Sequence, residues 1–267
     1  RNGEYTIEFS GAEKASCAVF LDNGSTLLMQ ERAEISENFF PNTVGVIDSQ
    51  MTMEGESGIK RNTPSGNCIV VGGQLASTAS SLTLKGFASI AENVMQNGCA
   101  VEVNNYNRLT TSMSIEGNAA VKGNRNRNLT ITDGGIGTPS GGAGVSCLRG
   151  GELALSGANA EISGNITEVG TGGGSYQGGG VQLWFGGTFT MSAGKVSGNA
   201  LPSGKASKGG GVYVVGGADG SVFTQIGGIV YGGTAGVLSN TADSGNTVYV
   251  DDSSSETNSN SIAGIYN

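Results

Sequence analysis

Carboxylates are the side chains through which this chain could do acid–base or metal chemistry, because the sequence contains no histidine. That absence excludes Ser-His-Asp and Cys-His catalysis and most zinc sites. Hydrolysis of a glycosidic bond needs two carboxylates roughly 5–9.5 Å apart, yet the aspartates do not recur at matching positions. The best candidate for a catalytic group is Glu102, with Arg125 and Arg127 near it. It is too weak to assign, so we predict no catalytic residue and lean towards a protein that is not an enzyme.

The charge balance argues against two classes of partner. The net charge is −8 with a pI near 4.6, and the 14 lysines and arginines form no long run. Nucleic acids and anionic membrane surfaces both need a basic face on the protein that binds them. The longest apolar runs are far short of the ~18 residues that span a bilayer. We therefore predict no nucleic-acid partner and no membrane insertion.

Cysteine and glycine usage gives no sign of a metal or a cofactor. The four cysteines are far apart, and each lies in or beside a short apolar run: Cys17, Cys68, Cys99 and Cys147. Buried free thiols are the favoured interpretation, with one disulfide as the alternative. The glycine triplets, such as 178–180, lack the Gly-Lys-Ser/Thr ending of a phosphate-binding loop. We predict no metal and no cofactor, and interpret the triplets as turns that bring neighbouring backbones together.

A repeat with unequal loops indicates the scaffold that must position any site. Seven segments carry a β-branched residue, and in the first six an asparagine follows three positions later. The last residues of the segments are spaced by 24, 31, 31, 41, 34 and 34 positions, and the seventh has Gly233 in place of asparagine. A period of 20–50 residues is typical of a solenoid or a propeller with insertions in its loops.

Two further short strands precede the β-branched position in each repeat. One reads Val-x-Val, as in Val212-Tyr213-Val214, and one reads apolar-polar-apolar, as in Leu82-Thr83-Leu84. Three short strands per turn predict an all-β, right-handed, single-stranded parallel β-helix of about eight rungs, in which each strand pairs with its equivalent ~4.8 Å away. We assign the helix to residues 1–250, with 1–16 as an N-terminal capping segment, and 251–267 to a polar C-terminal segment.

Stacking of equivalent positions predicts ladders along the axis. Asparagine tolerates left-handed backbone, and its amide can bond to the amide one rung away. Six asparagines therefore receive a structural role: Asn38, Asn62, Asn93, Asn124, Asn165 and Asn199. Charges of alternating sign occupy two other positions and are interpreted as solvated charge ladders: Glu54, Lys85 and Glu116, and Glu37, Arg61 and Glu92.

An aromatic strip is the strongest signal of a binding site. The middle residue of each Val-x-Val strand is expected to face outward, which places Trp184, Tyr213 and Tyr249 on one outer face, with Gln182 beside them. Aromatic rings stack on sugar rings, and flat apolar patches also dock partner proteins. The alternative is that the glycine-rich loop at 166–180, or the C-terminal segment, folds over this face.

The repeats in the second half of the chain carry a family resemblance. They resemble those of secreted and surface-attached microbial proteins of the pectin-lyase-like β-helix superfamily: Gly178-Gly179-Gly180-Val181-Gln182-Leu183, Gly187-Thr188-Phe189-Thr190-Met191 and Val196-Ser197-Gly198-Asn199. The resemblance is close over roughly residues 140–250. It implies a secreted or surface β-helix. Many relatives are adhesin-like proteins without an established activity, and others are polysaccharide lyases or glycoside hydrolases.

These observations predict a non-catalytic module, secreted or on a bacterial cell surface, that serves in adhesion or in recognition of a glycan or protein. A polysaccharide lyase or glycoside hydrolase with a site built from loops, and a structural stalk or filament subunit, are the alternatives. The first residues carry no apolar signal segment, so we expect an export signal to have been removed. The expected partner is a glycan or a protein of a host or neighbouring cell, and the sequence does not fix the oligomeric state.

Overall fold

Three long parallel sheets wind around one apolar core. The computed structural model describes residues 17–73, 76–105, 109–127, 142–170, 176–215 and 220–251, together with the backbone of 262–264. Within these ranges the chain is a right-handed parallel β-helix, which confirms the predicted fold. No helix in this part of the chain is long and apolar enough to cross a membrane. The predicted capping segment, 1–16, and most of the C-terminal segment lie outside the described residues.

Sheet 1 contains the Val-x-Val strands, and its eight members define rungs 1 to 8 of the helix. In chain order they are Cys17–Leu21, Asn42–Val46, Ile69–Gly72, Val101–Asn104, Val145–Leu148, Val181–Trp184, Val212–Val215 and Val248–Asp251. Each strand pairs in parallel with its equivalent in the next rung.

Sheet 2 contains the apolar-polar-apolar strands. They are Thr26–Met29, Gln50–Met53, Ser80–Leu84, Thr111–Ile115, Glu152–Leu155, Thr188–Met191, Val222–Gln225 and Ile262–Gly264. The last strand pairs with Val222–Gln225, so the helix continues beyond residue 250. Ile262–Gly264 lies within the stretch that the sequence assigns to a polar C-terminal segment.

Sheet 3 carries the single β-branched position, and a short sheet 4 follows it. Sheet 3 consists of Glu34–Ser36, Gly58–Lys60, Ser89–Ala91, Ala120–Lys122, Glu161–Ser163, Lys195–Ser197 and Ile229–Val230. Sheet 4 consists of Val94–Met95, Arg125–Asn126 and Ile166–Thr167, and single bridges continue it to Ala200 and Thr241.

Like residues stack on like inside the helix. Ile90 and Val121 are paired axial neighbours, as the repeat predicts. The rings of Phe189 and Phe223 stack one rung apart, with their centroids 5.0 Å apart. The interior is lined by fully buried aliphatic, methionine and phenylalanine side chains, each of which contributes about 1.5–3 kcal/mol relative to an exposed position. Repetition of one inward pattern therefore builds one continuous core.

The asparagine ladder runs along this core, and from Asn62 onward every polar atom of its amides has a hydrogen-bond partner. Each Nδ2 donates to Oδ1 of the asparagine in the next rung at 2.9 Å, from Asn38 to the end of the stack. The second Nδ2 proton goes to the carbonyl of the β-branched residue one rung back, as from Asn124 to Ile90 at 3.0 Å. The predicted stack is thus present and fully buried from Asn62 onward.

The ladder has a seventh member that the sequence pattern missed. In rung 7 the chain inserts residues between Val230 and Asn240, including a short 3₁₀ turn at Gly236–Leu238, and Asn240 then accepts from Asn199 at 2.9 Å. Asn240 itself donates to the carbonyl of Val196 at 2.9 Å. The interpretation of Gly233 as the equivalent position is therefore wrong, because the insertion moves the asparagine ten positions from the β-branched residue instead of three.

The left-handed residue in this turn is the one before the asparagine. Positive φ values near 60° fall on Glu37, Arg61, Glu92, Gly123, Gly164 and Gly198, and on none of the ladder asparagines. This corrects the expectation that asparagine was chosen for its backbone. It is required for its amide, whereas the residue before it reverses the chain direction so that the amide points inward.

The predicted charge ladders are only partly paired. Within either set, the one ion pair among the described residues joins Arg61 Nε and Glu37 Oε1 at 4.0 Å. Arg61 also bonds Glu34, and Glu54 accepts from Gln30 instead of from Lys85. These side chains are long and solvated, so a fixed pair geometry would gain little free energy.

All four cysteines are buried free thiols, as predicted. Burial raises the pKa of the Cys68 thiol to about 12 and raises the pKa of Cys99 and Cys147 as well. Since the thiolate is the reactive form, these cysteines act as small core side chains.

Candidate functional site

The predicted aromatic strip lies on sheet 1, but much of it is covered. Gln182, Tyr213 and Tyr249 are in register in rungs 6 to 8. Gln182 and Tyr213 are only 1% and 2% exposed, whereas Trp184 and Tyr249 are half-buried. The expectation that all four form one exposed outer face is therefore wrong for Gln182 and Tyr213.

Glycine-rich turns bring a covering segment over these two side chains. A Cβ atom on Gly178 would lie 2.8 Å from the Cβ of Gln182, and one on Gly209 would lie 2.8 Å from the Cβ of Tyr213. Both glycines have a positive φ, 66° and 71°. The chain thus folds back so closely that only hydrogen fits between the turn and the strand. Gly178 belongs to the glycine-rich loop at 166–180, so that alternative holds for Gln182, whereas the turn against Tyr213 is at Gly209, outside that loop.

The covered tyrosine belongs to a polar network that holds rung 8 on rung 7. The Tyr213 hydroxyl donates to Asp251 Oδ2 at 2.8 Å, and Lys208 Nζ donates to the same oxygen at 3.1 Å. The rings of Tyr213 and Tyr249 stack with centroids 5.8 Å apart. Burial, reinforced by the bond to Asp251, raises the pKa of Tyr213 above its usual value. Gln182 is similarly engaged, since Ser146 donates to its Oε1 at 3.1 Å.

Trp184, which is half-buried, instead forms a group with residues that the sequence pattern did not single out. Its ring stacks on Phe185, with centroids 5.0 Å apart and planes 6° apart. The guanidinium carbon of Arg149, one rung below, lies 5.6 Å from the centroid of the Phe185 ring. Phe185 is 39% exposed. We call Trp184, Phe185 and Arg149 the aromatic platform.

Two tight turns between sheets 1 and 2 hold the aromatic platform. Gly187 N–H donates to the Trp184 carbonyl at 3.2 Å, and Gly151 N–H donates to the Leu148 carbonyl at 2.9 Å. The central residues of these turns all have positive φ, 51° and 82° for Phe185 and Gly186, and 51° and 81° for Arg149 and Gly150. Turns of this mirror-image type favour Asn-Gly. A bulky aromatic residue in this conformation is an outlier that costs about 1–3 kcal/mol.

The one catalytic arrangement suggested by the sequence is not assembled. Glu102 lies on sheet 1 and accepts from Asn67 Nδ2 at 2.7 Å and from Asn104 Nδ2 at 2.8 Å. Arg125 lies on sheet 4 and pairs with Glu168. The carboxylate of Glu102 thus holds the amide of Asn104 at the end of its own strand and that of Asn67 in the preceding rung.

Aspartates in the turns are also used as anchors. Asp243 accepts from the backbone N–H groups of Gly204, Lys205 and Ser207 at 2.8 to 3.1 Å, and these bonds lower its pKa. Asp48 accepts from Ser77 and Thr78 at 2.7 Å in the same manner. Among the described residues, no three histidine, cysteine, aspartate or glutamate side chains come together as a metal site.

Comparison with protein-family models, with curated proteins and with solved structures finds no match to this chain. Any functional conclusion therefore depends on the geometry of the molecule itself.

Proposed function

We propose that this protein is a non-catalytic recognition module, secreted or held at a cell surface, that binds a glycan through the aromatic platform. The observation that supports the proposal is the partly exposed, nearly parallel pair of Trp184 and Phe185 rings at a strained turn. Phe185 is held in an unfavourable backbone conformation that brings the fold no evident stability. Such strain is typical of residues whose side chain serves a function.

The chemistry of the aromatic platform suits a sugar ring. The apolar C–H face of a pyranose packs on an aromatic ring, and the ring system of tryptophan offers the largest such surface. Arg149 adds a planar set of N–H donors next to the rings. Because the turns sit on a rigid β-helix, the platform is organised before the ligand arrives, which reduces the entropy lost on binding.

The position of the carboxylates favours binding over catalysis. Glu102, Asp48 and Asp243 are each engaged by amide or hydroxyl donors of the scaffold. A polysaccharide lyase or hydrolase remains the competing function. The resemblance to surface β-helix proteins supports the proposed location.

The test is a glycan array followed by titration calorimetry with the glycans that bind. We expect Trp184→Ala to weaken binding by at least about ten-fold, a loss of roughly 1.4 kcal/mol, and a thermal melt verifies that the variant is folded. Phe39→Ala is the matched control, since Phe39 is 81% exposed near the other end of the helix. We expect it to bind like the parent protein.

A third variant separates the role of the Phe185 ring in binding from its effect on the stability of the protein. Phe185→Asn suits the left-handed turn, so it should raise the unfolding free energy by about 1 kcal/mol while weakening glycan binding. The proposal fails if no glycan binds, or if Trp184→Ala and Phe39→Ala bind equally. Release of reducing sugars or unsaturated products from a polysaccharide, with or without Ca²⁺, would establish the enzyme instead.

A further inference from the structure

A second candidate site lies on sheet 3, away from the aromatic platform. A shallow, open groove of about 400 Å³ crosses the outer face of this sheet in rungs 2 to 4. Ligand pockets typically have volumes of about 300–1,000 Å³. Its floor includes Ser89 and Ala120, and its walls include Lys60 and Lys122 on one side and Phe87 on the other. We call it the sheet 3 groove.

The groove exists because small residues replace charged ones in three consecutive rungs. One outward row of sheet 3 runs in register through Glu34, Gly58, Ser89, Ala120, Glu161 and Lys195. Glu34 and Glu161 carry long side chains at either end of the row. Between them Ser89 and Ala120 leave the row open, whereas the Lys60 side chain lies over Gly58.

Two cations line one wall of the groove. Lys60, Ala91 and Lys122 are in register on the second outward row, so the two lysines stand two rungs, about 9.5 Å, apart along the axis. Lys122 Nζ lies 3.4 Å from Glu161 Oε1. Lys60 has no ion pair among the described residues, and its Cε and Nζ lie over Gly58. The small Ala91 side chain lies between the two lysines on this row.

The opposite wall supplies an exposed ring and polar groups. Phe87 is 64% exposed, although it is a large apolar side chain next to the groove. Asn118 occupies the turn position equivalent to Phe87 one rung further on. Its Oδ1 accepts a hydrogen bond from Asn159 Nδ2 at 2.8 Å. Glu56 occupies that position one rung back and is paired with Arg32 at 2.9 Å.

We propose that the sheet 3 groove binds a saccharide that carries an anionic group, either a carboxylate or a sulfate. The sugar ring packs on Phe87, and the anion lies between Lys60 and Lys122. Ser89 and Asn118 offer a hydroxyl and an amide to the sugar hydroxyl groups. A flat, open floor suits a ring, whereas a peptide side chain would need a deeper pocket. The site does not depend on the aromatic platform, from which it differs in sheet, rung and ligand charge.

The experiment titrates the whole chain with three oligosaccharides of equal length, one made of uronates, one sulfated and one neutral, in low salt. We expect binding of at least one anionic ligand and none of the neutral one, with affinity falling as salt rises. The uronate and sulfate arms identify which anion is preferred. Polyglutamate of equal charge is the fourth ligand, and binding as tight as that of the saccharides would overturn the assignment.

Variants locate the binding on the groove. We expect the double variant Lys60→Gln, Lys122→Gln to weaken binding at least about ten-fold and Phe87→Ala to weaken it about five-fold. Lys205→Gln removes one charge from an exposed turn elsewhere and should bind like the parent protein. Trp184→Ala should also bind normally, which separates this proposal from the glycan-binding function. Equal affinity of the double variant and the parent protein would refute the site, and thermal melts verify that each variant is folded.

Discussion

Rungs 2–4 and rungs 5–7 share one interior and differ in how they cover their outer faces. The asparagine ladder runs through both halves with the same 2.9 Å bond. The left-handed residue before the asparagine is charged in rungs 2 and 3, Arg61 and Glu92, but is glycine in rungs 4 to 6. The inner ladder therefore tolerates either choice, because that side chain points into solvent.

The outer face of sheet 1 shows the larger difference. In rungs 3 and 4 the middle residues of the strands, Val70 and Glu102, are half-buried, whereas Gln182 and Tyr213 in rungs 6 and 7 are buried. Glycines at 178 and 209 let the preceding segment lie against the later strands. Sheet 3 is open in rungs 2–4 and closed by Glu161 and Lys195 in rungs 5 and 6. The first half therefore leaves the outer faces of sheets 1 and 3 more open than the second half does.

The largest expected effect comes from breaking the ladder where the two halves meet. Asn124→Ala removes the acceptor of Asn93 and the donor to Ile90 and Asn165, all in a fully buried environment. We expect the unfolding free energy to fall by about 3 kcal/mol in chemical denaturation. Asn38→Ala at the half-buried end of the ladder is the control and should cost about 1 kcal/mol. Equal losses in the two variants would contradict a cooperative ladder.

The next effect tests the close turn of the second half. Gly209→Ala places a Cβ 2.6 Å from the Val212 carbonyl oxygen, in addition to the strain of its φ of 71°. Gly204 has nearly the same φ, 70°, and no atom within 4 Å of such a Cβ. We expect Gly204→Ala to lower the unfolding free energy by about 1 kcal/mol, and Gly209→Ala by about 2 kcal/mol more. If the two variants unfold at the same denaturant concentration, Tyr213 is not covered as closely as described.

The smallest expected effect comes from changing the residue before the asparagine, which is charged in rungs 2 and 3 and glycine in rungs 4 to 6. Glu92→Gly relieves a left-handed glutamate with a φ of 58°, and the gain of about 1–2 kcal/mol is partly offset by the freer unfolded chain. We expect a net increase of about 0.5–1 kcal/mol in the unfolding free energy. The reciprocal change, Gly123→Ala, meets only Glu92 Cγ at 3.9 Å and should cost a similar amount. Shifts of the same sign in both variants would show that φ does not govern this position.

The candidate sites could be predicted only in part. The position of Trp184 at the end of a Val-x-Val strand is readable from the repeat, but its ring partner is not. Phe185 follows the strand in a Phe-Gly pair that stacks above an Arg-Gly pair, and that alignment of turns across unequal loops is visible only once the rungs are in register. The sheet 3 groove was missed for the same reason, since Gly58, Ser89 and Ala120 are unremarkable until they stand in one row.

The sequence by itself determined the parallel β-helix, its strand pattern and its ladder, because a repeated inward pattern can bury its apolar residues only by stacking on its neighbours. It also excluded histidine-dependent catalysis. The tertiary structure alone decided that Asn240 completes the ladder, that Tyr213 is covered and that Phe185 is displayed. These outcomes depend on loops of different length that meet from neighbouring rungs, and no periodicity within a single repeat encodes such contacts.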